Sequence, residues 1–120
     1  MSGLARALLL ALAMCIACPA IRADDEIARL TVKFGSVCCG TDGNAIARLT
    51  DVISSYERKI GRPIGSKRVY WGLEGEFTQC FLLVELDGPM RTRFVSDVRA
   101  AVQSATAKVE ENVSCSGGWR

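Results

Sequence analysis

Apolar residues recur along the chain at two spacings, one of two residues and one of three to four residues. The spacing of two predicts a strand from Ile27 to Gly35. The apolar face of this strand consists of Leu30, Val32 and Phe34. The wider spacing then predicts a helix that begins at a polar cap, Thr41 or Asp42, and ends at Gly61. The apolar stripe of this helix is Ile46, Leu49, Ile53, Tyr56 and Ile60.

The second half of the chain shows the same two spacings. Residues 67–73 alternate, which predicts a strand with Val69, Trp71 and Leu73 pointing inward. Gly75 tolerates the positive φ that a tight turn requires, and residues 77–86 return as a strand that is apolar on both faces and therefore central. One of its faces carries Cys80, Leu82, Val84 and Leu86.

A second helix is predicted after the break at Asp87-Gly88-Pro89. Its apolar stripe is Phe94, Val98, Ala101, Ala105 and Val109. The order of elements is then β-α-β-β-α, and a short strand around residues 112–116 would add a final β. Two helices on one face of an antiparallel sheet bury both stripes, as in ferredoxin-like sandwiches. We therefore expect an α+β fold of the ferredoxin-like type, stapled by disulfides.

The N-terminal residues have the zones of a secretory signal peptide. Arg6 supplies the positive charge, residues 8–17 form an apolar core of ten residues, and Ala20 and Ala23 suit cleavage. An apolar run of ten is shorter than the roughly 20 residues that span a bilayer. The sequence predicts a cleavable signal peptide, which leaves a mature form without a stable transmembrane segment.

The sequence therefore predicts two parts. Residues 1–23 are the signal peptide, and residues 24–120 form one small α+β domain. We expect the domain to be exported to the periplasm or the extracellular space. Cys18 offers an alternative as a lipidated cysteine, but Cys15 stands where bacterial lipoprotein signals carry a leucine or similar residue.

Charge argues against a nucleic-acid partner. The chain has 15 Lys and Arg and 13 Asp and Glu, and loss of Arg6 and Arg22 with the signal peptide makes the two counts equal. A formally neutral domain lacks the excess of cations that binds phosphate backbones or anionic membranes.

Four cysteines remain after the signal peptide, and an even number in a small exported domain predicts two disulfides. A bond between the adjacent residues Cys38 and Cys39 would close an eight-membered ring that strains the intervening peptide. We therefore expect each of the two to bond a distant cysteine, and the predicted topology favours Cys38–Cys80 with Cys39–Cys115. An irregular loop would allow the two partners to be exchanged.

Cys38 and Cys39 lie between a predicted strand and a predicted helix, and this position resembles the metal loop of heavy-metal-associated domains. That family has a ferredoxin-like fold and a Cys-x-x-Cys motif, usually after Met, whereas the cysteines here are adjacent and follow Val37. The resemblance implies an alternative function, a thiol-based metal-binding or redox protein that uses Cys38 and Cys39. No other cofactor is predicted.

The chain has no histidine, which removes the commonest general base and the commonest metal ligand. Glu74 and Glu76 flank the predicted turn, where we expect both carboxylates to be exposed to solvent. A carboxylate that acts as a general acid at neutral pH needs burial or a charged neighbour, so neither is a good catalytic candidate. Tyr70 together with Glu74 and Glu76 forms a candidate contact patch. The sequence thus favours a non-catalytic module that binds a protein or an envelope component.

Overall fold

The computed structural model describes residues 26–115. The predicted signal peptide lies outside the described residues, as do residues 24–25 and 116–120. In chain order, the elements are β1 Ile27–Phe34, α1 Gly43–Ile60, β2 Lys67–Tyr70, β3 Phe77–Phe81, α2 Gly88–Ala101 and β4 Ala107–Ser114. Within the described part of the chain, neither helix is both long and apolar enough to cross a bilayer.

The four strands form one antiparallel sheet in the order β2-β3-β1-β4. In the central pair, Leu30 lies opposite Phe81 and Phe34 lies opposite Phe77. Because β1 and β2 are each antiparallel to β3, they run parallel to one another, and β3 and β4 are related in the same way across β1. Each helix therefore connects two parallel strands that an antiparallel strand separates. The predicted α+β class and the central position of β3 are confirmed.

Both helices pack against the face of the sheet that the alternation in β1 predicts. Leu30, Val32 and Phe34 are fully buried there with residues from both helices. The Phe94 ring of α2 meets the Tyr56 ring of α1 edge-on, with 5.1 Å between centroids, and also packs against Phe81. Burial of such large apolar side chains is the main source of stability in a domain of this size.

The ends of α1 are those predicted from the sequence. The Asp42 carboxylate accepts hydrogen bonds from the backbone N–H groups of Asn44 and Ala45, both at 3.0 Å. At the other end, Gly61 has a φ of 70°, and its N–H donates to the carbonyl of Glu57. Both caps satisfy backbone groups that a helix end leaves without partners.

The second predicted helix is too long, because α2 ends at Ala101. Ala105 lies in the following turn, where the Ser104 hydroxyl accepts a hydrogen bond from the backbone N–H of Thr106. Val109 belongs to β4 and lies opposite Val32. Pairing with β1 satisfies the backbone of this segment and also half-buries Val109 against the core, so the strand prevails over a longer helix.

The two strands of the hairpin are shorter than predicted. β2 ends at Tyr70, and Leu73, predicted to point inward, is fully exposed in the turn. β3 ends at Phe81, and Leu83 has a φ of 57°, which ends the alternation of a strand. As a result Leu83 and Leu86 are buried, while Leu82 and Val84, predicted to share a face with Cys80, are exposed.

Candidate functional site

One end of the sheet brings together the two loops that carry most of the candidate residues. The parallel strands β1 and β2 both finish at this end, where β3 begins, and Phe77 lies opposite both Phe34 and Tyr70. The loop after β1, residues 35–42, therefore lies beside the turn after β2, residues 71–76. We call these two segments together the tip.

Side-chain hydrogen bonds tie the two segments of the tip to one another and close the turn. The Ser36 hydroxyl donates to Glu74 Oε2 at 2.7 Å, which joins the loop to the turn. Within the turn, the backbone N–H of Trp71 donates to the backbone carbonyl of Glu76 at 3.1 Å, and the backbone N–H of Glu74 donates to Glu76 Oε2 at 2.8 Å. The tip is thus an ordered surface whose loops are bonded to one another.

Glu76 is a structural residue of the turn, so the prediction that it is a solvated surface residue is wrong. Its side chain lies across the turn, and the residue is only 9% exposed. Gly72 is required opposite it, because a Cβ at this position would overlap the Glu76 carboxylate. Its bond to the Glu74 N–H explains why the carboxylate turns inward.

The tip exposes two aliphatic side chains. Val37 is 88% exposed in the loop, and Leu73 is fully exposed in the turn. Tyr70 is 63% exposed at the end of β2, with its ring 5.5 Å from that of Phe77. Single exposed apolar residues are common, but Val37 and Leu73 lie on two loops that the Ser36–Glu74 hydrogen bond joins, so one partner can contact both.

The structure places Glu74 and Glu76 in the tip and Tyr70 directly before it, at the end of β2, but gives the three residues unequal roles. Tyr70 and Glu74 are exposed, although Glu74 is bonded to Ser36, and Glu76 is buried. Sequence reasoning missed Val37 and Leu73. The available signal was an aliphatic residue inside each of two segments that contain glycine and polar or charged residues.

All four cysteines of the described chain form disulfides, but the predicted pairing is wrong. Cys38 bonds Cys39, and Cys80 bonds Cys115 with 5.9 Å between their Cα atoms. The register explains the difference. Cys80 lies opposite Thr31, three residues before the end of β1, and so about 10 Å along the sheet from the tip.

The metal-binding alternative requires thiolates, and in this structure the sulfurs of Cys38 and Cys39 are bonded to one another. Among residues 26–115, no group of three or more His, Cys, Asp or Glu side chains is arranged to hold a metal ion. The pair therefore presents a disulfide at the surface of the tip, since both residues are exposed.

Asp42 closes the loop as the cap of α1. Hydrogen bonds from the backbone N–H of Ala45, from the Ser104 hydroxyl and from the N–H of Asn44 lower the pKa of Asp42. The carboxylate is therefore anionic at neutral pH, and it occupies the amides at the start of the helix. These amides bind Asp42 and not an external anion.

A concave feature lies at the end of the sheet opposite the tip. It is a cleft of about 220 Å³ whose lining includes Glu26, Ala28, Lys67, Cys80, Glu85 and Cys115. Clefts that hold drug-sized ligands have volumes of roughly 300–1,000 Å³. The tip, with its exposed apolar groups and its disulfide, is the stronger candidate for function.

The chain matches no protein-family model, and no curated protein or solved structure shows significant similarity to it.

Proposed function

We propose that this protein is an exported, non-catalytic binding module whose tip contacts a partner protein or an envelope component. The observation that carries this proposal is the exposure of Val37 and Leu73 on two loops that the Ser36–Glu74 hydrogen bond holds together. An apolar patch on bonded loops loses little conformational entropy when a partner covers it.

Two further features support export and the domain type. Two disulfides are compatible with an oxidising compartment outside the cytoplasm, to which the predicted signal peptide would direct the chain. Assignment to the ferredoxin-like type is also part of the proposal. It is supported by the strand order β2-β3-β1-β4 and by the two helices that each connect parallel strands across an antiparallel one.

The chemistry of the tip favours binding over acid–base catalysis. Its three carboxylates are all engaged, Asp42 with the N–H groups at the start of α1, Glu74 with the Ser36 hydroxyl and Glu76 with the Glu74 N–H. A general acid or base must exchange a proton with a bound substrate, and the chain supplies no histidine for that purpose. An apolar contact needs only the exposed side chains.

The test is capture of partners by the oxidised mature protein from the native envelope or medium, with quantification by mass spectrometry. The double variant Val37→Ser, Leu73→Ser should lose at least about tenfold of the captured partner, since buried apolar groups dominate most contact surfaces. The matched control is Leu82→Ser, Val84→Ser, which removes two exposed aliphatic side chains away from the tip.

The control variant should capture as much as the wild type, and all three proteins should unfold at similar temperatures. Equal capture by the tip variant and the wild type would place the contact surface elsewhere. Equal losses in the tip and control variants would show that the captured proteins bind apolar surface without specificity.

A further inference from the structure

We propose that Cys38–Cys39 is a thiol–disulfide exchange centre that accepts two electrons from a protein or peptide dithiol. Cys80–Cys115 is a structural bond that takes no part in this exchange. The exchange activity is separate from the binding function proposed above, although both use the tip.

Accessibility distinguishes the two disulfides. Exchange begins when a thiolate attacks one sulfur of the disulfide from outside, so the bond must be reachable. Cys38 and Cys39 are both exposed in the loop after β1. Cys80 and Cys115 are 6% and 8% exposed, and they form a small buried cluster with Ala28. An external thiolate therefore reaches the first pair much more readily.

The backbone around the exposed pair also favours its reduction. Cys39 has a φ of 69°, a left-handed conformation that is disfavoured for residues other than glycine, asparagine and aspartate. The eight-membered ring of adjacent bonded cysteines restricts this backbone, and opening the ring lets Cys39 relax. Gly40, with a φ of 102°, follows directly and leaves the chain free to adjust.

The fold depends little on the exposed pair. A disulfide between neighbours closes the shortest possible loop, so it constrains the unfolded chain far less than Cys80–Cys115, whose cysteines are 35 residues apart. The exposed pair lies outside every strand and helix, whereas Cys80 lies in β3 and Cys115 follows β4 directly. The tip can therefore change redox state while the domain remains folded.

The reaction balances as a two-electron exchange. One thiolate of the substrate attacks a sulfur of the Cys38–Cys39 bond, which releases the other cysteine as a thiolate and forms a mixed disulfide. The second thiol of the substrate, after losing its proton, attacks the mixed disulfide. The substrate leaves as a disulfide, and Cys38 and Cys39 take up the two protons as thiols.

The first experiment equilibrates the mature protein in mixtures of reduced and oxidised dithiothreitol, followed by an acid quench, alkylation and digestion with trypsin. The peptide of residues 34–48 contains both Cys38 and Cys39, and the peptide of residues 69–91 contains Cys80. Residues 34–48 should become doubly alkylated at a ratio of reduced to oxidised reagent at least about 100-fold lower than residues 69–91. Reduction of both disulfides at the same ratio, or of Cys80–Cys115 first, would overturn the proposal.

The second experiment mixes the oxidised protein with a reduced peptide that contains Cys-Gly-Pro-Cys. The wild type should oxidise one equivalent of the peptide, and the double variant Cys38→Ser, Cys39→Ser should oxidise none. A peptide that stays reduced with the wild type would rule out the exchange activity. The Leu82→Ser, Val84→Ser variant, which changes no residue of the tip, should keep its titration ratio. Neither experiment measures capture of a partner, so failure of the binding proposal and failure of this one can be told apart.

Discussion

At the scale of single residues, Tyr56 connects the two helices through its side chain. Its hydroxyl donates to Asp97 Oδ2 at 2.6 Å, and its ring packs against that of Phe94. Burial of the ring, together with the hydrogen bond from the hydroxyl to Asp97 and the negative charge of Asp97, raises the pKa of Tyr56 to about 12. The phenol thus stays protonated in the folded state well above the pH at which it ionises in an unfolded chain.

Replacement of Tyr56 by Phe removes this hydrogen bond and keeps the packing of the ring. We expect the free energy of unfolding at pH 7 to fall by about 1 kcal/mol, because the exposed Asp97 regains water when its donor is lost. Urea denaturation measures the change. A variant as stable as the wild type would show that the hydrogen bond contributes nothing to folding.

The difference in stability between the wild type and Tyr56→Phe should depend on pH. The folded-state pKa of Tyr56 is raised, so its contribution is complete below pH 10 and is lost as the pH rises from 10 to about 12. The advantage of the wild type over Tyr56→Phe should therefore disappear across this window. A difference that stays constant up to pH 12 would contradict the assignment.

At the scale of elements, β1 and α1 could be predicted from the sequence because their apolar spacing reflects one buried face. The ends of the hairpin strands could not. Leu73 continues the alternation of β2 but lies in the turn, and the left-handed backbone at Leu83 ends the alternation of β3. The Ser36–Glu74 bond that organises the tip joins residues 38 positions apart, and no local pattern encodes such a contact.

The turn between β2 and β3 depends on the glycine opposite Glu76. In Gly72→Ala, the added methyl group overlaps the Glu76 carboxylate and should displace it, which breaks its bond to the Glu74 N–H. We expect a loss of about 1–3 kcal/mol and faster hydrogen exchange at the Glu74 amide. Native-state hydrogen exchange measures both effects.

The matched control for this variant is Gly43→Ala, at the start of α1. A Cβ at Gly43 meets no atom within 4 Å, and alanine favours helix, so stability should stay the same or rise slightly. If Gly72→Ala behaved like this control, the inward position of Glu76 would be wrong.

At the scale of the whole molecule, the two disulfides have different roles: one bond is structural and the other lies at the surface. Cys80–Cys115 connects the centre of the sheet to the end of β4, and Cys38–Cys39 lies in the exposed loop. The sequence prediction that all four cysteines form disulfides is confirmed, but the favoured pairs, Cys38–Cys80 and Cys39–Cys115, are wrong. Pairing depends on the register between β1 and β3, which places Cys80 away from the tip.

This division predicts unequal effects on stability. The double variant Cys80→Ser, Cys115→Ser should lose about 3–4 kcal/mol, the entropic value for a loop of 35 residues, and so much of the stability of a small domain. The variant Cys38→Ser, Cys39→Ser should lose about 1 kcal/mol or less, because its ring is so short. Thermal and urea denaturation compare them. The opposite order would mean that the exposed pair is the structural one.

The protein has an exposed disulfide at the tip and a separate buried structural disulfide, and tryptic mapping of the non-reduced mature protein detects both bonds. Residues 34–48 should appear as a single peptide, two hydrogens lighter than its reduced form. Residues 69–91 should appear linked to residues 109–120, which contain Cys115. A complex in which all three peptides are linked together, or the recovery of free thiols, would show that Cys38–Cys39 and Cys80–Cys115 are not the bonds of the mature protein.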